Sequence, residues 1–410
     1  MSRTLRSELL HPVVLVGALG YFVDIYDLVL FSVVRTPSLK ALGYSGAELV
    51  DHGIHLLNLQ MIGMLLGGIL WGVLGDRRGR LTILFGSILL YSLANLANGT
   101  VHTLGAYAFW RIIAGIGLAG ELGGSITLVS EVLSKQARGY GTALVATVGV
   151  MGGVVGGLVA DKVDWRTAYF IGGGMGLLLL LLRFSIAESG MFRHLHGNAA
   201  VKRGQFLSLF THRERFFRYL RCILLGLPTW YVVGVLATFS PEFGQALGIT
   251  GGPVKAAYAV LFLYLGLTFG DLLSGLLSQW FRTRKKVVLG FVLATVAFIT
   301  VYFCSAGRSA AFFYGVITLI GVGIGYWALF VTIAAEQFGT NIRATVTTTV
   351  SNFARAATIP ITLSFQYAKN HIGLLPGAIV VGAVTITLTL LALWGMAETH
   401  GKDLDYHEPT

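Results

Sequence analysis

Long apolar stretches, each able to cross a bilayer, alternate with short polar loops from one end of this chain to the other. They predict twelve helices, near 12–34, 52–75, 81–99, 104–131, 139–160, 165–187, 217–240, 255–279, 286–305, 309–335, 344–368 and 373–398. The first stretch is longer than a signal-peptide core and lacks a small-residue cleavage site, so it reads as a retained span. The longest polar segment runs from Glu188 to Phe216 and divides the chain. An all-α membrane protein follows, with a six-helix bundle over 1–187, a linker over 188–216, a second bundle over 217–398 and a tail over 399–410.

The halves repeat. Gly72-Val-Leu-Gly-Asp76-Arg77-Arg78-Gly79-Arg80 lies between two apolar runs, and Gly275-Leu-Leu-Ser-Gln279-Trp-Phe-Arg282-Thr-Arg284-Lys285-Lys286 occupies the equivalent place 203 positions later. Likewise, Glu131 and Arg138 are echoed with the same spacing by Glu336 and Arg343, 205 positions on. Two offsets that agree this closely indicate a duplicated unit. Half-length duplication in a polytopic chain points to transport.

Composition changes this picture in one respect, orientation. The chain has 410 residues, 55% hydrophobic and 12% charged, with a net charge of +11. That charge falls in short loops and not on a soluble module, so nucleic acid is not an expected partner. Arg77, Arg78, Arg80, Lys135, Arg138, Arg282, Arg284, Lys285, Lys286 and Arg343 lie on one set of loops, and the linker adds to them. The opposite loops are assigned Arg35, Lys40, Lys162, Arg166, Lys255, Arg308 and Lys369. Positive residues resist translocation, so both termini are expected in the cytoplasm, as in a bacterial inner-membrane protein.

The loop after span two, with Gly72, Asp76, Arg77, Gly79 and Arg80, resembles the signature of the major facilitator superfamily, and the likeness covers nearly the whole chain. The resemblance implies that Asp76 and Arg80 are gating residues, with Glu131 and Arg138 as partners. In the second copy Gln279 replaces the acid. Gly20-Tyr-Phe-Val-Asp24-Ile-Tyr-Asp27 and Arg111-Ile-Ile-Ala-Gly115-Ile-Gly117-Leu-Ala-Gly120-Glu121 resemble the metabolite:proton symporter branch, related to phosphate and aromatic-acid proton symporters. Glu121-Leu122 stands where the phosphate branch has aspartate then tyrosine. The expected activity is proton-coupled symport of a small organic anion or zwitterion, by a monomer without cofactor or metal.

Asp24 and Asp27 share a helical face, and two carboxylates so close at bilayer depth do not both ionise easily, which suits a proton carrier. Glu121 matches Asp24 in depth, and Arg111 stands at a position that the resemblance links to proton coupling. Arg355 lies near the middle of span eleven, with Asn352 on the same face, and its planar fork suits a carboxylate. Asp271 is its expected internal partner. Tyr21, Gln60, Trp230, Tyr231 and Trp327 complete the expected substrate cavity, and Tyr26 and Gln366 lie near it. Counted together, Asp24, Asp27, Glu121 and Asp271 exceed Arg111 and Arg355 by two charges, to be met by protons or by a cationic substrate. The glycines of span five, Gly149, Gly152, Gly153, Gly156 and Gly157, fit close helix packing. Cys222 and Cys304 form no disulfide framework, and His11, His52, His55, His102 and His371 lack ligand spacing. No catalytic or nucleotide-binding motif is present, so an enzyme is not expected. Facilitative uniport, export and a non-transporting metabolite receptor remain open.

Overall fold

The computed structural model describes residues 10–78, 80–123, 125, 129, 133, 135–188, 208–339 and 342–401. The described residues fold mainly into helices: α1 (Pro12–Ala41), α2 (Glu48–Arg78), α3 (Arg80–Asn98), α4 (Leu104–Leu118), α5 (Lys135–Lys162) and α6 (Trp165–Glu188) make the first bundle. The second contains α7 (Arg213–Leu225), α8 (Leu227–Tyr231), a π-helical stretch (Val232–Ala237), α9 (Ser240–Ala246), α10 (Ala256–Trp280) and α11 (Lys285–Phe303). It is completed by α12 (Ala310–Ile324), α13 (Trp327–Glu336), α14 (Arg343–Ala356), α15 (Thr358–Ile372) and α16 (Leu374–Trp394). Among the described residues, eight spans are long and apolar enough to cross a membrane, and a ninth counts if α7 and the helix after it, bent by 41°, are one span. The fold is that of twelve transmembrane helices in two pseudo-symmetric bundles.

The duplication is visible in the packing. Gly63 and Gly67 of α2 lie against the carbonyls of Ile112 and Ile116 on α4, while Gly266 and Gly270 of α10 lie against those of Thr318 and Val322 on α12. A Cβ at any of the four would collide with backbone, so glycine lets the helix axes approach. The helices they meet also start alike. The hydroxyl of Thr103 caps α4 through the Ala106 N–H, and that of Ser309 caps α12 through the Phe312 N–H.

Spans seven, ten and eleven are broken, which hydropathy alone does not reveal. Pro228 has no N–H to offer one turn back, and the freed Leu224 carbonyl accepts instead from Thr389 Oγ1 of α16 at 2.9 Å. The neighbouring Leu225 carbonyl accepts from Tyr326 Oη at 3.0 Å, which ties the break in span seven to the break between α12 and α13. Span eleven is rich in hydroxyls: Thr349 donates to the Thr345 carbonyl of its own helix at 2.7 Å, while Thr362 Oγ1 lies 2.6 Å from Asn58 Oδ1 of α2 as well as 2.9 Å from the Thr358 carbonyl.

Span one runs further than the apolar pattern indicates. It continues through Arg35 to Ala41, and it is buried almost all round. The expected outer-loop position of Arg35 is therefore corrected: the residue is inside the helix and fully buried.

Candidate functional site

The site is built where α1 of the first bundle meets α14 of the second. Arg355 Nη2 donates to Asp24 Oδ2 at 3.2 Å, and both residues are fully buried. This is a salt bridge between bundles, holding together two charges that neither half could keep alone. It also replaces the expected pairing of Arg355 with Asp271. The reason lies in the break of span ten, which leaves the first N–H groups of α13 without helical partners. Asp271 serves as their cap, its Oδ1 accepting from the Ala328 N–H at 3.0 Å.

Among the described residues, several polar atoms here are buried without a hydrogen-bond partner: Nε and Nη1 of Arg355, Oδ1 of Asp24, Oδ2 of Asp271 and the indole nitrogens of Trp230 and Trp327. Those two tryptophans follow the breaks in spans seven and ten and meet edge to face, with ring centroids 5.9 Å apart. Tyr21 lies within the same electrostatic neighbourhood as Asp24, Asp271 and Arg355. An arginine fork with spare donors, a carboxylate and aromatic walls can hold a small anion with an apolar or aromatic body.

Asp27 points elsewhere in the first bundle. Asn95 of α3 and Arg111 of α4 face it, and Gly172 of α6 leaves room for its Oδ1. Neither of its carboxyl oxygens has a hydrogen-bond partner among the described residues. Arg111 itself donates to Gln60 Oε1 and, at 3.4 Å, to Tyr169 Oη, and its guanidinium lies 4.6 Å from the centroid of the Phe31 ring. Gln60 thus belongs to the Arg111 neighbourhood and not to the expected substrate cavity. Tyr231 also moves out of that cavity, because its hydroxyl donates to the Ala378 carbonyl of α16 at 2.7 Å. Asn352 bridges the bundles, its Nδ2 donating to the Ala119 carbonyl at 3.0 Å.

Glu121 has a partner that no reading of the sequence assigned. Arg183 of α6 grips it bidentately, Nη1 to Oε1 and Nη2 to Oε2 at 2.9 Å each, and Ser87 Oγ adds a bond to Oε1 at 3.0 Å. Arg183 lies near the inner end of span six, where a long cation ordinarily snorkels to the headgroups, so its depth gave no warning. With Arg183 counted, the intramembrane excess of these acids over arginines falls from two charges to one. The pair is wedged against Gly20 of α1, where a Cβ would collide with Arg183 Nη2 and crowd Glu121 Oε2. Gly20→Leu is expected to destabilise the protein by about 1–3 kcal/mol through this overpacking. A lowered melting temperature in detergent would show it; an unchanged one would mean that the pair yields freely.

On the side remote from the termini, further polar contacts join the bundles. Arg35 Nη2 donates to Glu242 Oε1 at 2.6 Å, Lys255 Nζ to Asp161 Oδ1 at 2.9 Å and Lys369 Nζ to Asp51 Oδ1 at 2.9 Å. Thr238 Oγ1 adds a bond to Ser32 Oγ at 2.8 Å, and the Arg35 guanidinium also covers the Phe239 ring. This end is closed. The expected gating residues are on the opposite end: Glu131 lies outside the described residues, and so do the side chains of Asp76, Arg80 and Arg138. In the second half the equivalent loop is held by Arg284 Nη2 donating to Glu336 Oε1 at 3.1 Å, so the position that echoes Glu131 is used in a contact of this kind.

Comparison with known proteins gives consistent results. The sequence pattern of the Major Facilitator Superfamily matches residues 17–363. The niacin transporter NiaP of Acinetobacter baylyi is 25% identical over 425 residues, covering 95% of this chain and 94% of that protein. The 3-(3-hydroxy-phenyl)propionate transporter of Escherichia coli is 28% identical over 301 residues, covering 70% of each. Among solved structures, the proton:xylose symporter XylE bound to 6-bromo-6-deoxy-D-glucose superposes with a TM-score of 0.72 at 16% identity, covering 97% of this chain and 98% of that one.

Proposed function

This chain belongs to the Major Facilitator Superfamily and is a multi-pass membrane transporter, not an enzyme; we propose that it moves a small organic anion together with protons by alternating access. The observation that carries this reading is the Arg355–Asp24 bridge between the bundles. An anionic substrate competes with Asp24 for the guanidinium, and the displaced carboxylate, buried without its cation, takes up a proton. Asp27, unpartnered three residues away, accepts or relays that proton, and Arg111 faces it from α4. Glu121, enclosed by Arg183 and Ser87, holds α4 and α6 together rather than carrying the proton.

The substrate fits a carboxylate with an apolar or aromatic body, seated between Tyr21, Trp230 and Trp327. Relatives named for niacin and for 3-(3-hydroxy-phenyl)propionate transport support that class. The moving bodies are residues 1–187 and 217–398, joined by 188–216 and followed by the tail 399–410. Both termini are cytoplasmic in a bacterial inner membrane, and the closed side faces outward. Asp76, Arg80, Glu131 and Arg138 form the inner gate of a monomer.

Uptake of nicotinate and 3-(3-hydroxyphenyl)propionate into proteoliposomes with an alkaline lumen tests this function. Accumulation is expected to follow the imposed gradient and to collapse to facilitated equilibration in Asp24→Asn and Asp27→Asn. Transport indifferent to the gradient and to both substitutions would remove proton coupling and leave a uniporter.

A further inference from the structure

Away from the bundle interface, the second half holds a cavity of about 920 Å³ between α10, α11 and α12. Its mouth lies at the loop joining α10 to α11 and carries Arg282, Lys285 and Lys286. Its body is apolar, formed by Leu273 and Leu277 of α10 and by Phe291 and Phe298 of α11. From Lys286 to Phe298 the helix rises about 18 Å, roughly the depth of one leaflet. The flanks are lipid-facing: Leu276 is 70% exposed and Leu293 53%. None of the residues of the Arg355–Asp24 site lines it.

The cations at the mouth are not equivalent. Lys285 is committed, its Nζ donating to the carbonyls of Trp394 and Met396 at 3.0 and 2.9 Å. Arg282 and Lys286 are exposed, and among the described residues no acceptor engages either head group. Arg282 also holds a left-handed backbone, with φ of 51°, where glycine would ordinarily stand. Among the described residues, Glu398 is the one acid that lines the cavity. Burial pushes its carboxyl up, but hydrogen bonds from Thr283 and the N–H groups of His400, Arg284 and Thr399 outweigh this and hold it at about 2. Its lone pairs are thus turned inward to the protein, and Arg282 and Lys286 are left to face the leaflet.

We propose that this cavity is a binding site for an anionic phospholipid of the cytoplasmic leaflet, with the headgroup phosphate on Arg282 and Lys286 and one acyl chain between α10 and α11. Charge complementarity selects the occupant. A groove that opens to lipid and ends in two uncommitted cations fits an acyl chain joined to an anion, whereas a zwitterionic headgroup brings its own cation to the same place. The assignment to the cytoplasmic side rests on the orientation given by the positive loops; the site itself does not depend on the transport reading.

The test is native mass spectrometry of the purified full chain, titrated with phosphatidylglycerol or chain-matched phosphatidylcholine. Phosphatidylglycerol is expected to bind and phosphatidylcholine to be retained far less. Each basic residue near a membrane surface is worth about fivefold in affinity, so Arg282→Gln with Lys286→Gln is expected to weaken phosphatidylglycerol about 30-fold. A second variant fills the body: a Cβ at Gly290 meets nothing within 4 Å, so Gly290→Phe can enter the cavity without disturbing backbone, and it should also lose the lipid while keeping both cations. Inorganic phosphate should not compete. Equal retention of both lipids, wild-type binding by either variant at an unchanged melting temperature, or displacement by phosphate alone would overturn the proposal.

Discussion

Arg355→Ala is expected to reduce substrate uptake by about 100-fold or more, the largest functional effect of any single change in this chain. Truncating one partner of a buried, hydrogen-bonded charge pair costs about 2–5 kcal/mol, and here the same group is the proposed seat of the substrate anion. The variant should also melt at a lower temperature, because Asp24 is left buried without a cation. Adding Asp24→Asn to Arg355→Ala removes that stranded charge. The double variant is therefore expected to regain stability while remaining inactive, a split that a purely structural bridge would not give. Proteoliposome uptake and a thermal melt on the same preparations check both halves. If Arg355→Ala transports at the wild-type rate, the arginine does not touch the substrate and the proposed site is wrong.

The second large effect is expected at Arg183. Replacing it with leucine strands Glu121 among α3, α4 and α6, at a cost of about 3–5 kcal/mol, and Glu121→Leu alone should cost a similar amount. The pair of substitutions together removes both charges and should approach wild-type stability, since a buried ion pair is often no better than an apolar pair of like volume. Uptake by that double variant should still respond to a pH gradient. Loss of the response in a stable, folded double variant would return Glu121 to the proton path.

Hydropathy was sufficient for the order of the spans, though not for their breaks or for the end of span one, and the offsets of Asp76 with Gln279 and of Glu131 with Glu336 were sufficient for the duplication. These are properties of single segments, or of segments compared with themselves. What a side chain meets across the molecule is not of that kind. Arg35 ended an apolar run and so looked like a loop residue, because the acid that allows it inside the membrane, Glu242, lies 207 positions away. Asp271 looked like a counter-ion for Arg355, since nothing in the sequence of α10 says that span ten will break at Gly325 and present N–H groups needing an acceptor. Arg183 was hidden by its position near the end of a span. The glycines of span five, by contrast, were legible as packing residues, and the structure divides them. Gly152 lies against the Phe22 carbonyl within its own bundle, while Gly157 lies against the Ala257 carbonyl of the other.

The ion pairs that join the bundles at the rim remote from the termini are unequal fastenings. Lys255 is 54% exposed opposite Asp161, and Asp51 is 42% exposed opposite Lys369, so dissolved ions screen these two and each contributes about 1 kcal/mol or less. Arg35, wholly enclosed beside Glu242, feels almost none of that screening. More concentrated salt therefore loosens the two exposed fastenings while leaving the bolt thrown, and parting the bundles at this rim depends chiefly on water reaching one guanidinium.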